Sequence, residues 1–406
     1  MTSSVLNKTE QVLLDLLANN LFKAGKSLDA VSVDWRSVWY EAHMQGVSLT
    51  AFADFPEELT ASADFSGIRK NLQSRMSDNL AVNKSHFKIH NILTEAKIPY
   101  VILKGLASGL YYPDFLLRSM GDVDFLVAEG GLEKTCAVLE QNGFVASEKS
   151  HGDHLVYSDG VCRYELHTEP AGMPKGEAGE LVKSYLADVL EKSELQNTLF
   201  GNVYVPSRFH HGLIILLHTC HHLTSSGVGL RHLCDWAVFV NSVSDDEFCS
   251  LFEEAFKQIG LWNLACVLTK VCEKYLSCPA KSWMGEVDEA LVDALAKDIF
   301  EGGNLGQKSD DRSHEAMILP KYGDSEHKDK SNSKRFIAYV NQTVKNNWKS
   351  AEKNKLLLPV GWVYFGGRYV FRSLKGERPQ IKVNSFISEA KQRTELFDKL
   401  KLFEKE

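Results

Sequence analysis

Residues 100–127 read YVILKGLASGLYYPDFLLRSMGDVDFLV, two short apolar runs separated by a turn-rich segment. In an extended strand, side chains two positions apart point to the same side of the sheet. The second run therefore predicts a strand over 122–127 on which Asp122 and Asp124 share one face. The first run predicts a strand over 99–103 that ends at Lys104.

Asp122 and Asp124 form an acidic pair that calls for a cation. Two neighbouring carboxylates repel each other unless a positive charge lies between them. Magnesium prefers oxygen ligands and often binds phosphate oxygens as well as protein carboxylates. We therefore expect a cation between the two side chains. When no metal is bound, removing the charge of Asp124 is expected to cost little stability, because that change relieves the repulsion.

A second run, CRYELH at 162–167, also alternates between polar and apolar residues. A strand here places Arg163, Glu165 and His167 on one face and the apolar side chains on the other. One interpretation is a functional face that carries Glu165 and His167. The alternative is a solvated strand face on which Arg163 and Glu165 simply pair.

The combined pattern resembles the polymerase-β-type nucleotidyltransferase superfamily and, more narrowly, a bacterial family of uncharacterised nucleotidyltransferases. The resemblance is carried by Leu103-Lys104-Gly105, Tyr112-Pro113, Arg118 and the 122–127 strand. Mixed strands and helices indicate α/β or α+β layering. The resemblance favours an α+β fold in which a nucleotidyltransferase-type mixed β-sheet is flanked by helical regions. Gly105 is followed by Leu106, so the Ser that often touches phosphates in the superfamily is absent.

The resemblance implies metal-dependent transfer of a nucleoside monophosphate from a nucleoside triphosphate to a hydroxyl acceptor, with release of pyrophosphate. Asp122, Asp124 and Glu165 would be the catalytic carboxylates and the ligands of two magnesium ions. The residues expected to line the nucleotide pocket are Lys104, Gly105, Arg118, His167, His222, Arg231 and Asp235. The acceptor, a small molecule or a protein hydroxyl among others, is left open by the sequence.

Two other function classes stay open at this point. The fold could serve as a catalytically inactive binding or regulatory module, which the missing Gly-Ser favours and the intact carboxylates oppose. A phosphotransferase could use the same metal site. The sequence shows no kinase-type Gly-rich loop, H-R-D or D-F-G motif.

The segment after residue 207 predicts helices rich in histidine. His218 and His222 are four residues apart, a spacing used by zinc-binding helices. The H-E-x-x-H pattern is absent and the sequence offers no evident third ligand, so we do not expect zinc. Arg231 and Asp235 are also four residues apart and could pair with each other in a structural network between helices.

Composition limits the partners and the compartment. The net charge of −7 argues against general nucleic-acid binding, which needs a basic surface. Eight scattered cysteines without a C-x-x-C pair fit free thiols in a reducing compartment. The first residues lack the pattern of a secretory signal. We therefore expect a cytoplasmic protein.

The chain divides by composition into five parts. We predict an N-terminal helical region at 1–97, the catalytic domain at 98–206, a helical domain at 207–306, a mobile polar linker at 307–334 and a C-terminal helical region at 335–406. The linker prediction rests on its richness in Lys, Asp, Ser, His and Glu.

The stretch 356–378 combines apolar and aromatic residues with Arg368 and Arg372. Such a segment could bind a membrane surface or a partner. A core helix with a solvated basic end is the interpretation that we favour, because buried amphipathic helices are common.

Overall fold

The computed structural model describes residues 5–28, 33–54, 63–147, 154–170, 172–198, 200–309, 312–315, 317–320, 322, 331–375 and 383–405. The elements up to residue 206 are α1 (Lys8–Phe22), α2 (Trp35–Met44), α3 (Ser48–Ala51), α4 (Ala63–Glu95), β1 (Tyr100–Ile102), α5 (Leu106–Gly109), β2 (Asp122–Val127), α6 (Leu132–Gln141), β3 (Val145–Ala146), β4 (His154–Ser158), β5 (Arg163–His167), α7 (Gly176–Leu186), β6 (Glu194–Thr198) and β7 (Gly201–Val205).

The rest of the described chain is helical. Its helices are α8 (Arg208–Leu223), α9 (Leu230–Asn241), α10 (Asp245–Phe248), α11 (Glu254–Ile259), α12 (Trp262–Leu276), α13 (Glu289–Gly302), α14 (Arg312–Glu315), α15 (Asn332–Asn347), α16 (Lys349–Lys353), α17 (Leu358–Leu374) and α18 (Val383–Lys399). A π-helical turn at Cys249–Glu253 joins α10 to α11. No described helix combines the length and the hydrophobicity that crossing a bilayer requires.

A mixed sheet of five strands, in the order β1-β2-β5-β4-β3, confirms the predicted α+β class. The central pair β2 and β5 is parallel, and the other pairs are antiparallel. The turn sequence Ser158-Asp159-Gly160 predicts a hairpin, and this hairpin forms between β4 and β5. Gly160 has a φ of +84°, and the Asp159 carboxylate accepts from the backbone N–H groups of Val161 and Cys162.

Two hydrophobic cores lie on opposite faces of this sheet. On one face, Val123 and Phe125 of β2 pack with residues of α4, such as Ile89. On the other face, Leu126 joins the large helical core that includes α8 and α9. Because Leu126 has the same strand parity as the two aspartates, the acidic face of β2 looks toward the helices.

Strand β6 was not predicted from the sequence. It pairs antiparallel with β7 to form a separate two-stranded sheet. Its residues, Glu-Leu-Gln-Asn-Thr, are polar and mostly exposed, so no apolar alternation marks the strand. The strand near 202–205 was predicted, and it forms as β7.

Two charged residues of the predicted linker 307–334 are buried in the structure. Arg312 is 4% exposed and Glu315 is fully buried. The Arg393 guanidinium on α18 donates to Glu315 over 2.8 Å. Arg312 and Glu315 are thus held by ion pairs within the helical core, and the mobility of the linker stays a prediction. Residues 323–330 lie outside the described part, and the five-part division of the chain stays a prediction.

Helix α17 differs from the core helix that we favoured for 356–378. Gly361 is its buried residue, and it packs on α15 through Val344. Val363 is 78% exposed and Leu374 is 77% exposed. The apolar side of this helix therefore faces solvent. Residues 376–378 lie outside the described part, and a membrane-surface contact stays a prediction.

Candidate active site

The acidic pair lies on the sheet face that meets the helices. Asp122 is half-buried and Asp124 is 3% exposed. Val123, between them, points to the opposite core and is fully buried. The strand alternation read from the sequence is therefore present in the structure, and it fixes both carboxylates on one side of β2.

Parallel pairing of β2 with β5 brings the third carboxylate alongside. In this register Asp124 is the partner of Glu165, and Leu126 is the partner of His167. One ligand atom each of Asp124, Glu165 and His167 lies within 4.8 Å of the others. The structure thus brings together three of the residues that the sequence singled out.

Asp124 is held by two donors at one oxygen. Lys104 Nζ lies 3.0 Å from Oδ1, and His167 Nε2 lies 3.1 Å from the same atom. Burial alone would raise the pKa of Asp124, but Lys104 and the His167 hydrogen bond outweigh burial and hold the pKa far below its usual range. Asp124 is therefore a carboxylate that stays ionised.

Asp122 and Glu165 are shifted in the opposite direction. Burial, and then the charge of Asp124, raise the pKa of Asp122. Burial, followed by the charges of Asp124 and Asp122, raises the pKa of Glu165 to about 7. The site therefore combines one firmly ionised carboxylate with one poised to take up a proton near neutrality, a pairing typical of acid–base sites.

Gly105 forms the turn that follows Lys104. Its φ is +59° and its ψ is −114°, a conformation that is strained for any residue with a Cβ. A Cβ at this position would lie 3.1 Å from Nε2 of the buried His86. Gly105 therefore sets the path of the chain after β1. Its predicted contact with the nucleotide stays a prediction.

Arg118 and Asp235 bind each other. Arg118 Nε lies 2.8 Å from Asp235 Oδ1, and Nη2 lies 2.7 Å from Oδ2, so the contact is bidentate. The Tyr112 hydroxyl donates to the same carboxylate over 2.8 Å. Both ionic groups are buried and joined across the sheet–helix boundary. Their predicted contact with the nucleotide stays a prediction, and the geometry favours a positioning role.

Arg231 has a different environment from Arg118. Within the described chain, its half-buried guanidinium makes no hydrogen bond or ion pair. Burial, and then the charge of Arg118, lower its pKa, while Asp235 and Asp122 act in the opposite direction. The interpretation that Arg231 pairs with Asp235 is wrong, because Arg118 takes both carboxylate oxygens. Arg231 is a cation available to an anionic ligand beside Asp122.

The sequence matches the model of a family described as uncharacterised nucleotidyltransferases over residues 31–277. The chain belongs to this family. The matched part contains the sheet, the three carboxylates and the helices that face them. Membership indicates nucleotide transfer in general. No curated protein matches the chain.

Histidines form a second cluster, separate from the three carboxylates. His218 and His222 on α8 meet His232 on α9, and a ligand atom of each lies within 4.8 Å of the others. Burial lowers the pKa of all three, that of His222 to about 2. The expectation that no third ligand exists is wrong. The third histidine lies ten residues downstream on a separate helix, where local spacing gives no signal.

Sequence reasoning also missed His154 on β4. Its ring centroid lies 5.0 Å from that of His167, and its Nε2 lies 3.7 Å from Glu165 Oε2. The alternation of β4 would have placed it on the acidic face once its pairing with β5 was known. Arg163 pairs with Glu165 over 2.6 Å, as the solvated-face alternative proposed.

The raised pKa of Glu165 predicts how stability changes with pH. Between the ordinary value of 4.5 and about 7, the folded protein keeps a proton that the unfolded chain has released. Stability from this group is thus complete below pH 4.5 and is lost as the pH rises through about 7. Glu165→Gln should flatten this fall, and its advantage in melting temperature over wild type should grow toward pH 8 by a few degrees at most.

The measurement is the melting temperature of both proteins, without metal, across this pH range. Glu194→Gln, an exposed glutamate on β6, is the matched control and should follow wild type. A constant difference between Glu165→Gln and wild type at every pH would contradict the shifted pKa.

Proposed function

We propose that this protein transfers a nucleoside monophosphate from a nucleoside triphosphate to an acceptor hydroxyl and releases pyrophosphate. The observation that carries the proposal is the β2–β5 register, which aligns Asp124 with Glu165 while Asp122 shares their face. Membership of a nucleotidyltransferase family supports it.

The carboxylate group suits magnesium. Asp122, Asp124 and Glu165 supply oxygen ligands, and their mutual repulsion is what raises two of the three pKa values after burial. These three side chains would hold the metal. When bound, magnesium would neutralise the triphosphate and the negative charge that develops on the leaving pyrophosphate.

Three charged residues of the pocket have further roles in this proposal. Glu165 is the proposed base, a carboxylate that lies beside Asp124 across the β2–β5 pair and would take the proton of the acceptor hydroxyl. The hydroxyl oxygen then forms a bond to the α-phosphorus as the bond to the β-phosphate oxygen breaks. Arg231 is the proposed bidentate phosphate ligand. Lys104 supplies a point charge beside Asp124.

Arg118 acts in this proposal by position. Through its bidentate contact with Asp235 it joins the segment before β2 to helix α9, which carries Arg231. This contact would hold Arg231, the proposed phosphate-binding residue, opposite strand β2. The acceptor is a small molecule or a protein, and the nucleotide base is unassigned.

The test follows the position of the label. The protein is incubated with magnesium, a cell extract and each nucleoside triphosphate in turn, labelled at either the α- or the γ-phosphorus. Nucleotidyl transfer puts the α-label on an acceptor and the γ-label in pyrophosphate. Transfer of the γ-label to an acceptor would identify a phosphotransferase instead. A protein that yields neither product, but whose melting temperature rises with nucleotide, would be a binding module.

A further inference from the structure

A cluster of three histidines lies outside the carboxylate group and has no part in the proposed reaction. His218 and His222 lie one turn apart on α8, and their ring centroids are 4.3 Å apart. His232 on α9 lies 5.4 Å from the first ring and 5.2 Å from the second. Two helices that pack together thus direct three imidazoles at one point.

Three ring nitrogens of this cluster are buried and have no hydrogen-bond partner in the described structure. His232 is 4% exposed, and neither of its ring nitrogens has a hydrogen-bond partner in the described structure. Nδ1 of His218 is also buried and unpartnered. Buried polar atoms almost always have a partner, and an exception calls for an explanation such as an ion. The buried, unpartnered nitrogens of His232 therefore point to a ligand that accepts imidazole.

His211 shows what a histidine without such a role looks like. Its two nitrogens are also buried and unpartnered. Its ring, however, stacks on Tyr111 at 5.0 Å and packs against Phe239 at 5.5 Å. His211 is thus an aromatic core residue, whereas His232 faces two further imidazoles. The difference lies in the convergence of ligand atoms, which spacing on one helix does not produce.

We propose that His218, His222 and His232 bind a transition-metal ion, with zinc as the representative occupant. Imidazole nitrogen suits zinc, copper, nickel and iron, whereas carboxylate oxygen suits magnesium. Zinc accepts three histidines and keeps a fourth position for water or another ligand. The chain therefore offers two sites that select different metals. This proposal does not rest on nucleotidyl transfer.

The residues around the histidine cluster indicate which kind of fourth ligand suits it. His218 and His222 are half-buried, whereas His232 is fully enclosed, so the cluster is accessible from one side. Lys104 and Arg231 both exert their charge on the cluster. Lys104 is the residue that pairs with Asp124. The two cations give the cluster a positive environment, which suits an anionic fourth ligand.

The experiment uses the full chain after chelator treatment, titrated with Co²⁺ alone and then with Zn²⁺ in competition. We expect one equivalent of Co²⁺ to give the visible absorption of a four-coordinate nitrogen site, and Zn²⁺ to abolish it. Magnesium in excess should leave the absorption unchanged. His222→Ala and His232→Gln should each weaken Co²⁺ binding by about a hundredfold or more.

Two further variants make the result decisive. His221→Ala removes an exposed histidine next to the cluster and should bind Co²⁺ as wild type does. Asp124→Asn should also keep the absorption, because its oxygens belong to the other site. Equal loss with His221→Ala, loss with Asp124→Asn, or full binding by both His222→Ala and His232→Gln would overturn the proposal. If His232→Gln does not fold, the half-buried His222 decides the outcome.

Discussion

Asp124→Asn is expected to lower nucleotidyl transfer by on the order of a hundredfold or more and to destabilise the protein as well. The loss of transfer has the size of losing one preorganised charged group at a reacting centre. The loss of stability follows from the contacts of Oδ1, where Lys104 and His167 both bind. Without the negative charge, Lys104 loses its counter-ion and the hydrogen bond between His167 and Oδ1 is weakened, at a cost of about 2 kcal/mol.

From the sequence we expected Asp124→Asn to cost little stability, because this change relieves the repulsion between the two aspartates. The contacts of Asp124 in the structure contradict this expectation for Asp124. It applies instead to Asp122, where removing the charge is expected to cost little stability. The pKa of Asp122 is raised by burial and by Asp124, so its ionised form is the disfavoured one. Asp122→Asn should therefore reduce transfer while leaving the melting temperature unchanged or higher.

The measurement pairs turnover with thermal unfolding for both variants. Glu129→Gln, an exposed acidic residue just beyond β2, is the matched control and should be neutral in both assays. Equal melting temperatures for Asp124→Asn and Asp122→Asn would contradict the uneven electrostatics of the pair. Full transfer by Asp124→Asn would remove this residue from the catalytic group.

Arg118→Met is expected to lower the free energy of unfolding by about 3–5 kcal/mol, the usual cost of leaving one partner of a buried ion pair alone. Asp235 would then keep the hydrogen bond from Tyr112 but lose both contacts to the guanidinium. The contact also joins the segment before β2 to α9, so the loss should extend beyond the immediate site. Urea unfolding measures the change.

A double variant separates the ion pair from simple loss of packing. Arg118→Met with Asp235→Leu removes both charges and should recover most of the lost stability, since an apolar pair of similar volume is often as stable as a buried ion pair. Arg208→Met, which breaks a half-exposed pair with Glu247, is the control and should cost less than about 1 kcal/mol. Equal costs for Arg118→Met and Arg208→Met would contradict the importance of burial.

Strand β2 shows which features can be predicted from neighbouring residues alone. Alternation over 122–127 is a property of neighbouring residues, so the common face of Asp122 and Asp124 could be predicted without any tertiary contact. The hairpin at Asp159 and Gly160 is equally local, and it formed as predicted. The same holds for α8: the apolar residues of this segment predict a helix over 208–223, and the structure has the same bounds.

Strand β6 and helix α17 show where local pattern fails. Strand β6 exists because β7 offers it a partner, and its polar residues carry no periodic signal of that pairing. Helix α17 has the apolar content of a core helix, but no element of the described chain covers most of its apolar side. Burial depends on what packs against a helix, and composition does not contain that information.

The sequence by itself determined the acidic strand, the α+β class and the family, because each depends on residue order within a short window. Tertiary structure alone decided the partners of the charged groups. Arg118 pairs with Asp235 across more than a hundred residues, and His232 completes a cluster begun on another helix. Such contacts arise from the register of strands and the packing of helices, which depend on the whole core rather than on any one segment.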